Sequence, residues 1–234
     1  MSLSQATVQA LDAPVIRSSG LTHTWRGGRS LRFPAIELAA GETLFVHGPS
    51  GSGKSTLLGL LAGVLVSDQG SLNVLGVSLS DARQAERDRL RADHVGYIFQ
   101  QFNLLPYLDV AANVALACRF SAPRLATATT HGSLDAEVNR LLEALALAPG
   151  ELRERRAGEL SVGQQQRVAA ARALIGGPRL LIADEPTSAL DSDTRAAFIE
   201  LMLAECTRHR TSVVFVSHDL SLASHFDRTL RIAA

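Results

Sequence analysis

The stretch Leu44–Gly63, LFVHGPSGSGKSTLLGLLAG, decides the fold of this 234-residue chain. An apolar run typical of a buried strand leads into a glycine-rich loop. The loop leads into a leucine-rich segment typical of a helix, with Gly63 near its end. Within the stretch, Gly48–Ser55 fits the pattern GxxxxGK[ST] in the strand–loop–helix context that this pattern requires. The stretch therefore predicts one unit of an α/β fold with a P-loop.

The P-loop predicts a binding site for nucleotide phosphates. Gly51 and Gly53 let the backbone curl so that successive N–H groups can face a phosphate with no side chain in the way. Lys54 would reach the β- and γ-phosphates of ATP, and the Ser55 hydroxyl would ligate Mg²⁺. A glycine-rich turn without a ligand is the alternative, and the strand–loop–helix context argues against it. The residues predicted to contact the nucleotide here are Gly48, Pro49, Ser50, Gly51, Ser52, Gly53, Lys54, Ser55 and Thr56.

Two later apolar runs predict further strands of a parallel sheet, each followed by polar residues. Leu180–Glu185 (LLIADE) ends in two carboxylates. Asp184 is predicted to hold Mg²⁺, and Glu185 stands one residue closer to the γ-phosphate, placed to orient and deprotonate the attacking water. Such a pair is otherwise only solvated, but the P-loop in the same chain favours catalysis. Ser212–Ser217 (SVVFVS) is the second run, and His218 follows it directly.

The remaining chain predicts two additions to this core. Short β-type runs between Pro14 and Leu44 predict an antiparallel sheet, and residues 1–13 are predicted to be a flexible arm. The region of about 81–159 is predicted to be a mostly helical insertion, with a loop-like composition at Ser121–Ser133. One helix face there is formed by Leu134, Val138, Leu141, Leu142 and Leu145. We therefore expect residues 14–234 to form one α/β domain: a P-loop NTPase core with a mainly parallel sheet, an N-terminal antiparallel β subdomain and an inserted helical subdomain.

The segment Leu160–Leu174, LSVGQQQRVAAARAL, predicts a helix with an unusual beginning. Ser161 and Gln164 have the spacing of a capping box, which opens a helix. The first turn of such a helix directs backbone N–H groups and a positive dipole end outward, where an anion can bind. A simple N-cap is the alternative, but the segment lies between a P-loop and a strand that ends in carboxylates.

Taken in order, these motifs resemble those of the ATP-binding cassette (ABC) family, with Leu160–Leu174 matching its signature motif. The resemblance runs from Trp25 to His218. It implies an ATP-binding and ATP-hydrolysing transporter subunit that uses Mg²⁺. It further implies that two chains face head to tail, with Ser161, Gly163 and Gln164 of one chain at the γ-phosphate bound by the other.

The family also implies roles for residues outside the P-loop. His218 resembles a switch histidine that contacts the γ-phosphate. Gln100 resembles a glutamine that closes toward Mg²⁺ and the attacking water, with Gln101 as the alternative. Trp25 would stack on adenine, although a lone Trp could equally belong to the core or the surface. Ser188–Asp191 resembles a loop that couples the two ATP sites.

One segment indicates a particular subfamily, and one residue departs from the family pattern. The run YIFQQFNLLPYLDVAANV resembles the same region of cassette subunits from lipoprotein-releasing and macrolide-exporter systems. A membrane permease would dock near Gln100–Asn113. The alternative is that the apolar run FNLLPYL within this region is simple core. Val162 departs from the family pattern, which has glycine there, and a β-branched residue restricts the backbone. We expect a working site because this position should be more permissive than Ser161 or Gly163.

Composition limits the class of protein. Lys and Arg number 23 and Asp and Glu number 23, so no basic field favours nucleic acid. The sequence predicts neither a signal peptide nor a membrane span, and Cys118 and Cys206 are expected to be buried thiols. We expect a cytoplasmic protein that reaches the membrane through its permease and pairs with an identical or a different second cassette.

Two other functions remain as alternatives. A soluble cassette ATPase could act on ribosomes or DNA, but those proteins typically fuse two cassettes or carry a long coiled coil. A small-molecule kinase could use the P-loop, but it would leave the signature helix and His218 unexplained.

Overall fold

The structure is a computed structural model that describes residues 13–25, 27–28, 30–188, 190 and 192–233. The predicted N-terminal arm therefore lies outside the described residues, apart from residue 13. The strands are β1 (Ile16–Thr24), β2 (Ser30–Arg32), β3 (Ile36–Leu38), β4 (Thr43–His47), β5 (Gln69–Val74), β6 (Val77–Ser78), β7 (Val95–Ile98), β8 (Leu180–Asp184), β9 (Ser212–Val216) and β10 (Arg228–Arg231). The helices are α1 (Lys54–Leu61), α2 (Gln84–His94), α3 (Val110–Phe120), α4 (Ala122–Ala128), α5 (Leu134–Ala144), α6 (Pro149–Leu152), α7 (Val162–Leu174) and α8 (Ser192–His209), with 3₁₀ turns at Ala157–Glu159 and Leu220–His225.

The central sheet is parallel and has the strand order β10-β4-β9-β8-β7. The three apolar runs of the sequence form β4, β8 and β9, which lie side by side. Because the carboxyl ends of parallel strands meet at one edge, the residues that follow them gather there. The predicted α/β fold with a mainly parallel sheet is confirmed.

Successive residues of the central strands face two separate cores, as the alternation of a β-strand requires. Phe45 and Phe215 face a core shared with α3, α5, α7 and α8. Val46 and Val216 face a second core, which contains the buried side of α1 and the inner face of the antiparallel sheet. That sheet has the order β2-β1-β5-β6, with β3 also paired to β1. Its strands β1, β2 and β3 lie where the N-terminal runs predicted antiparallel strands, whereas β5 and β6 were not predicted.

The stretch predicted to be mostly helical contains a strand of the central sheet. Within it, β7 forms the edge of the sheet and pairs with β8, Val95 lying opposite Leu180. The helical prediction holds on either side of β7, and the apolar face of α5 is buried as expected. A four-residue apolar run cannot be distinguished from a buried helix turn by periodicity, and its pairing with β8 decides the structure.

The segment Ser121–Ser133 also differs from its loop-like composition, because most of it forms α4. The Ser121 hydroxyl accepts a hydrogen bond from Arg124 N at 3.2 Å, and Pro123 lies in the first turn, where a proline is tolerated. The Arg124 guanidinium is buried and donates to the carbonyls of Ala173 and Ile175 at 2.5 and 3.0 Å. These contacts hold α4 against the end of α7.

The expectation for the two cysteines is also met. Cys118 and Cys206 are free and buried. Among the described residues, no helix is long and apolar enough to cross a bilayer.

Candidate functional site

The carboxyl edge of the central sheet brings most of the predicted site residues around one cavity of about 400 Å³. The P-loop follows β4, Glu185 follows β8, His218 lies beyond β9, and Gln100 lies beyond β7. The cavity is lined by Trp25, Leu31, Ser50, Gly51, Gly53, Lys54, Ser55, Thr56, Gln100, Glu185 and His218. Leu31 was not predicted, since an aliphatic residue in a short strand carries no chemical signal.

The P-loop requires glycine at positions where its backbone is left-handed or closely packed. Gly51 and Gly53 have φ values of 76° and 95°. A Cβ on Gly48 would lie 2.4 Å from the carbonyl oxygen of Ile232, and Ile232 N donates to the carbonyl of His47 at 2.8 Å. The loop is thus held from one side by the segment that follows β10.

The Lys54 ammonium lies inside the loop, with the residue only 7% exposed. Its Nζ donates to the carbonyl oxygens of Gly48 and Pro49 at 2.9 and 3.0 Å. Ser52 Oγ, also buried in the loop, has no hydrogen-bond partner among the described residues. Among the described residues, this ammonium donates to neutral carbonyls, and a buried hydroxyl beside it is unsatisfied; both features favour an anionic ligand.

Asp184 ends β8 beside the P-loop, where its carboxylate is hydrogen-bonded to Ser55. Burial raises the pKa of Asp184, and this effect is opposed by the Ser55 hydrogen bond and by the charges of Lys54 and His218. A carboxylate beside a hydroxyl, with room for a phosphate, is a donor set of the kind that Mg²⁺ takes together with a nucleotide. The residues present therefore fit a magnesium nucleotide.

Glu185 is held with its carboxylate facing His218. Its backbone is left-handed, with φ 47°, and its N–H donates to the carbonyl of Val216 on the neighbouring strand at 3.0 Å. The carboxylate Oε1 lies 2.5 Å from His218 Nε2. A positive φ in a non-glycine residue directly after a strand is the kind of local strain that occurs at functional sites.

Trp25 and Gln100 lie at the rim of the cavity. Trp25 is 47% exposed, and its ring meets that of His23 edge to face with centroids 5.0 Å apart. Trp25 therefore does not belong to the core, and part of its ring remains accessible. Gln100 lines the cavity, whereas Gln101 does not.

The predicted signature residues lie outside this cavity. Ser161, Gly163 and Gln164 line a different cavity of about 540 Å³. The capping box is present, because Ser161 Oγ accepts from Gln164 N at 3.3 Å and Gln164 Oε1 accepts from Ser161 N at 3.0 Å. Among the residues that the structure describes, a Cβ on Gly163 would meet Leu190 Cδ2 at an ordinary 3.7 Å, so packing against those residues does not require glycine there. Val162 begins the helix and is 49% exposed.

The segment Gln100–Asn113 divides into a buried and an exposed part. Asn113 is buried, and its amide bonds to the backbone of Leu105. Phe102 is also buried, but Tyr107 is exposed. FNLLPYL is thus partly core and partly surface. Beside it, an apolar groove of about 250 Å³ is lined by Tyr97, Phe99, Asn103, Leu116, Ala117, Phe120, Arg124, Arg172 and Ala173.

The predicted coupling loop is only partly described, since Ala189 and Asp191 lie outside the described residues. Ser188 N donates to the carbonyl of Glu185 at 3.2 Å, and Leu190 N donates to that of Thr187 at 3.1 Å. Arg195 on α8 contacts this loop and was not predicted. An arginine in a helix that follows the loop has no distinguishing signal in the sequence.

Comparison with known proteins gives a consistent result. The family model described as ABC transporter matches residues 32–188. The lipoprotein-releasing system ATP-binding protein LolD of Xylella fastidiosa (strain Temecula1) is 38% identical over 232 residues, covering 97% of this chain and 93% of LolD. The uncharacterized ABC transporter ATP-binding protein YbbA of Escherichia coli (strain K12) is 41% identical over 192 residues, covering 82% of this chain and 81% of YbbA.

Two solved structures are similar over nearly the whole chain. The dimeric structure of MJ0796, a bacterial ABC transporter cassette, has a TM-score of 0.79 and 31% identity, covering 93% of this chain and 94% of the other. A dimeric post-hydrolysis state of the same cassette, bound to ADP and Pi, has a TM-score of 0.78, 30% identity and the same coverage.

Proposed function

Because the chain belongs to the ABC transporter family and is the ATP-hydrolysing subunit of a transporter, we propose that the 400 Å³ cavity binds Mg²⁺–ATP and that Glu185 organises its hydrolysis. The observation that carries this assignment is the 2.5 Å contact between Glu185 Oε1 and His218 Nε2 at the cavity wall. This contact supports a general-base role for Glu185, because His218 could orient its carboxylate in the same cavity as Lys54.

Each residue has a role that its position supports. Lys54 exchanges the carbonyls of Gly48 and Pro49 for the β- and γ-phosphate oxygens, which bind an ammonium more strongly. Glu185 accepts a proton from the attacking water, and His218 contacts the γ-phosphate and holds the Glu185 carboxylate in place.

Other residues bind the nucleotide and its metal ion. Gln100 closes over the γ-phosphate side of the cavity, and Trp25 stacks on adenine. Ser55 and Asp184 would hold Mg²⁺, with Gln100 as a further ligand, and the bound ion would supply positive charge beside the phosphates.

The signature helix serves the site of a second cassette. Against the described part of its own chain, Gly163 has ordinary space for a side chain, which supports the view that its glycine serves what approaches from outside. The first turn of the helix directs its N-terminal end and the Ser161 hydroxyl there, which suit the γ-phosphate of a facing chain. We propose a head-to-tail homodimer, with a heterodimer as the alternative.

Complementation between two inactive variants tests this composite site. Lys54→Ala disables the P-loop, whereas Gly163→Asp places a carboxylate in the first turn of α7, where it favours the isolated helix but repels a facing γ-phosphate. A mixed dimer of the two variants has one site in which both halves are intact. An equal mixture should therefore recover about a quarter of the wild-type turnover, since about half of the dimers are mixed and each keeps one of two sites.

The control is Gly132→Asp, because a Cβ there also meets its nearest neighbour at 3.7 Å. This variant should retain full turnover alone. If the mixture of Lys54→Ala and Gly163→Asp stays inactive while each chain still folds and dimerises with wild type, the composite site is wrong.

We further propose that an integral membrane permease docks in the apolar groove beside β7 and α3. Phe120 is 75% exposed at the groove, and Asn103, three residues after Gln100, lines it together with Arg172. Docking would place the cassette at the cytoplasmic face of the membrane. The similarity to LolD supports a substrate of the lipoprotein class. Phe120→Glu should prevent copurification with the permease and leave basal turnover intact, whereas Phe120→Leu should preserve both.

A further inference from the structure

Arg195, near the start of α8, bridges two loops of the candidate site. Its Nη1 forms an ion pair with Asp219 Oδ2, and its Nη2 donates to the carbonyl oxygen of Leu190 at 2.8 Å. The Arg195 side chain is largely buried. A guanidinium presents separate donors in a fixed plane, so one side chain can bind two acceptors on different segments.

On one side of the bridge lies the loop that carries His218. Asp219 is the next residue, and its Oδ1 accepts from the Ser221 hydroxyl at 2.6 Å and from Ser221 N at 3.0 Å. The hydrogen bonds from Ser221, followed by Arg195, hold the pKa of Asp219 below its usual range, so the carboxylate stays charged. Displacing Asp219 would move the adjacent His218, whose ring contacts Glu185.

On the other side lies the Ser188–Asp191 loop. The Leu190 side chain lies next to the first turn of α7, with Cδ2 3.7 Å from the position that a Cβ on Gly163 would occupy. Leu190 is thus held by Arg195 through its carbonyl and faces the signature helix through its side chain. From Leu190, beside the first turn of α7, a set of interactions therefore leads through Arg195 and Asp219 to the His218–Glu185 pair.

We propose that Arg195 is a positioning residue that couples the signature end of the chain to its own hydrolytic centre. A displacement of the first turn of α7, when the partner's nucleotide binds there, moves Leu190 and is passed through Arg195 to Asp219 and His218. Arg195 touches no reacting atom and acts only through the orientation of Glu185. The inference rests on the proposed roles of Glu185, His218 and the signature helix.

Substitutions at Arg195 separate this role from plain packing. Arg195→Met keeps the length and the apolar stem but removes every donor, whereas Arg195→Lys keeps the charge. In steady-state hydrolysis by the full-length protein with its permease, we expect Arg195→Met to lower kcat about tenfold with KM changed less than about twofold, because the bridge acts on the hydrolytic step and not on ATP binding. Arg195→Lys should recover most of the lost turnover. Arg208→Met on the exposed end of the same helix is the matched control and should behave as wild type.

Hydrogen–deuterium exchange reports the bridge directly, without hydrolysis. In Arg195→Met, the amides of residues 187–190 and of residues 217–222 should both exchange faster, while Arg208→Met should change neither. Acceleration of only one of the two segments, or of neither, overturns the bridge. An unchanged kcat for Arg195→Met overturns its catalytic role. Glu185→Gln is assayed in parallel, because a Glu185→Gln protein that still turns over ATP would instead reject the assignment of the general base.

Discussion

His218 Nε2 and Glu185 Oε1 lie 2.5 Å apart, joining the ends of two neighbouring parallel strands, β9 and β8. The contact fixes a carboxylate whose backbone is already constrained by a left-handed φ and by its hydrogen bond to Val216. Such a fixed orientation lowers the activation barrier of ATP hydrolysis only if the Glu185 carboxylate takes part in that reaction.

Glu185→Gln should lower ATP turnover at least about 100-fold, because general-base catalysis contributes at least that much. ATP affinity should remain, since the amide is isosteric and Lys54 is unchanged. Phosphate release and nucleotide-binding titrations measure the two quantities. Glu200→Gln, an exposed position on α8, is the matched control. An equal loss of affinity and turnover would argue for a binding role instead.

Asp184→Asn should stabilise the nucleotide-free protein at neutral pH. Burial raises the pKa of Asp184, so as the pH rises the carboxyl ionises first in the unfolded chain, and the penalty on the native state grows until the native carboxyl has also ionised. The gain over wild type should therefore be full near pH 7 and be lost as the pH falls below about 4, where both states become protonated. Thermal unfolding across pH measures it. Added Mg²⁺–ATP should stabilise wild type more than the variant, and equal stabilisation would contradict a metal-ligand role.

Trp25→Ala should weaken ATP binding about fivefold, because an aromatic stack contributes about 1 kcal/mol beyond the area it buries. Trp25→Phe should recover most of the affinity. Calorimetric titration with ATP avoids relying on the tryptophan fluorescence that the variant lacks. Tyr107→Ala, at an exposed aromatic outside the cavity, serves as the control. An unchanged affinity in Trp25→Ala would show that the ring merely lies on the surface.

Arg124→Met should destabilise the fold by about 2–3 kcal/mol, because the carbonyls of Ala173 and Ile175 lose buried charged donors. Burial lowers the pKa of Arg124 to about 10, so the guanidinium remains charged at neutral pH. Urea unfolding gives the free energy, and Arg119→Met at an exposed position of α3 should change it little. If both variants unfold alike, α4 is not anchored through this side chain.

Val162→Gly, which restores the usual signature pattern, should change turnover less than about twofold. Val162 is half exposed at the first position of α7, where glycine costs at most about 0.5–1 kcal/mol of stability. Turnover and urea unfolding measured on the same preparation separate the two effects. A large rise in turnover would show that Val162 limits the signature helix.

The sequence predicted those parts of the fold and site that depend on local pattern. The P-loop, the strand ending at Asp184 and the helix opened by Ser161 each carry their own spacing signal, and the structure forms them at those positions. β7 was not predicted, because its four residues become a strand only through pairing with β8. α4 was not predicted because its composition is that of a loop. The buried Arg124, which is hydrogen-bonded to the end of α7, holds this helix in place.

Sequence pattern also could not predict contacts between distant segments. Leu31 lines the cavity because β2 lies beside the P-loop, and Arg195 reaches two loops only in the folded chain. Such contacts have no fixed spacing. They depend on tertiary packing, which patterns within one segment do not encode.

The packing of Gly48 against Ile232 has a consequence for biosynthesis. Residue 48 leaves the ribosome long before residue 232, yet the backbone of residue 232 supports the loop and bonds to His47. Until β10 has been synthesised and added beside β4, the P-loop lacks one of its walls. The nascent chain should therefore gain high ATP affinity late in translation, so that incomplete chains do not sequester nucleotide.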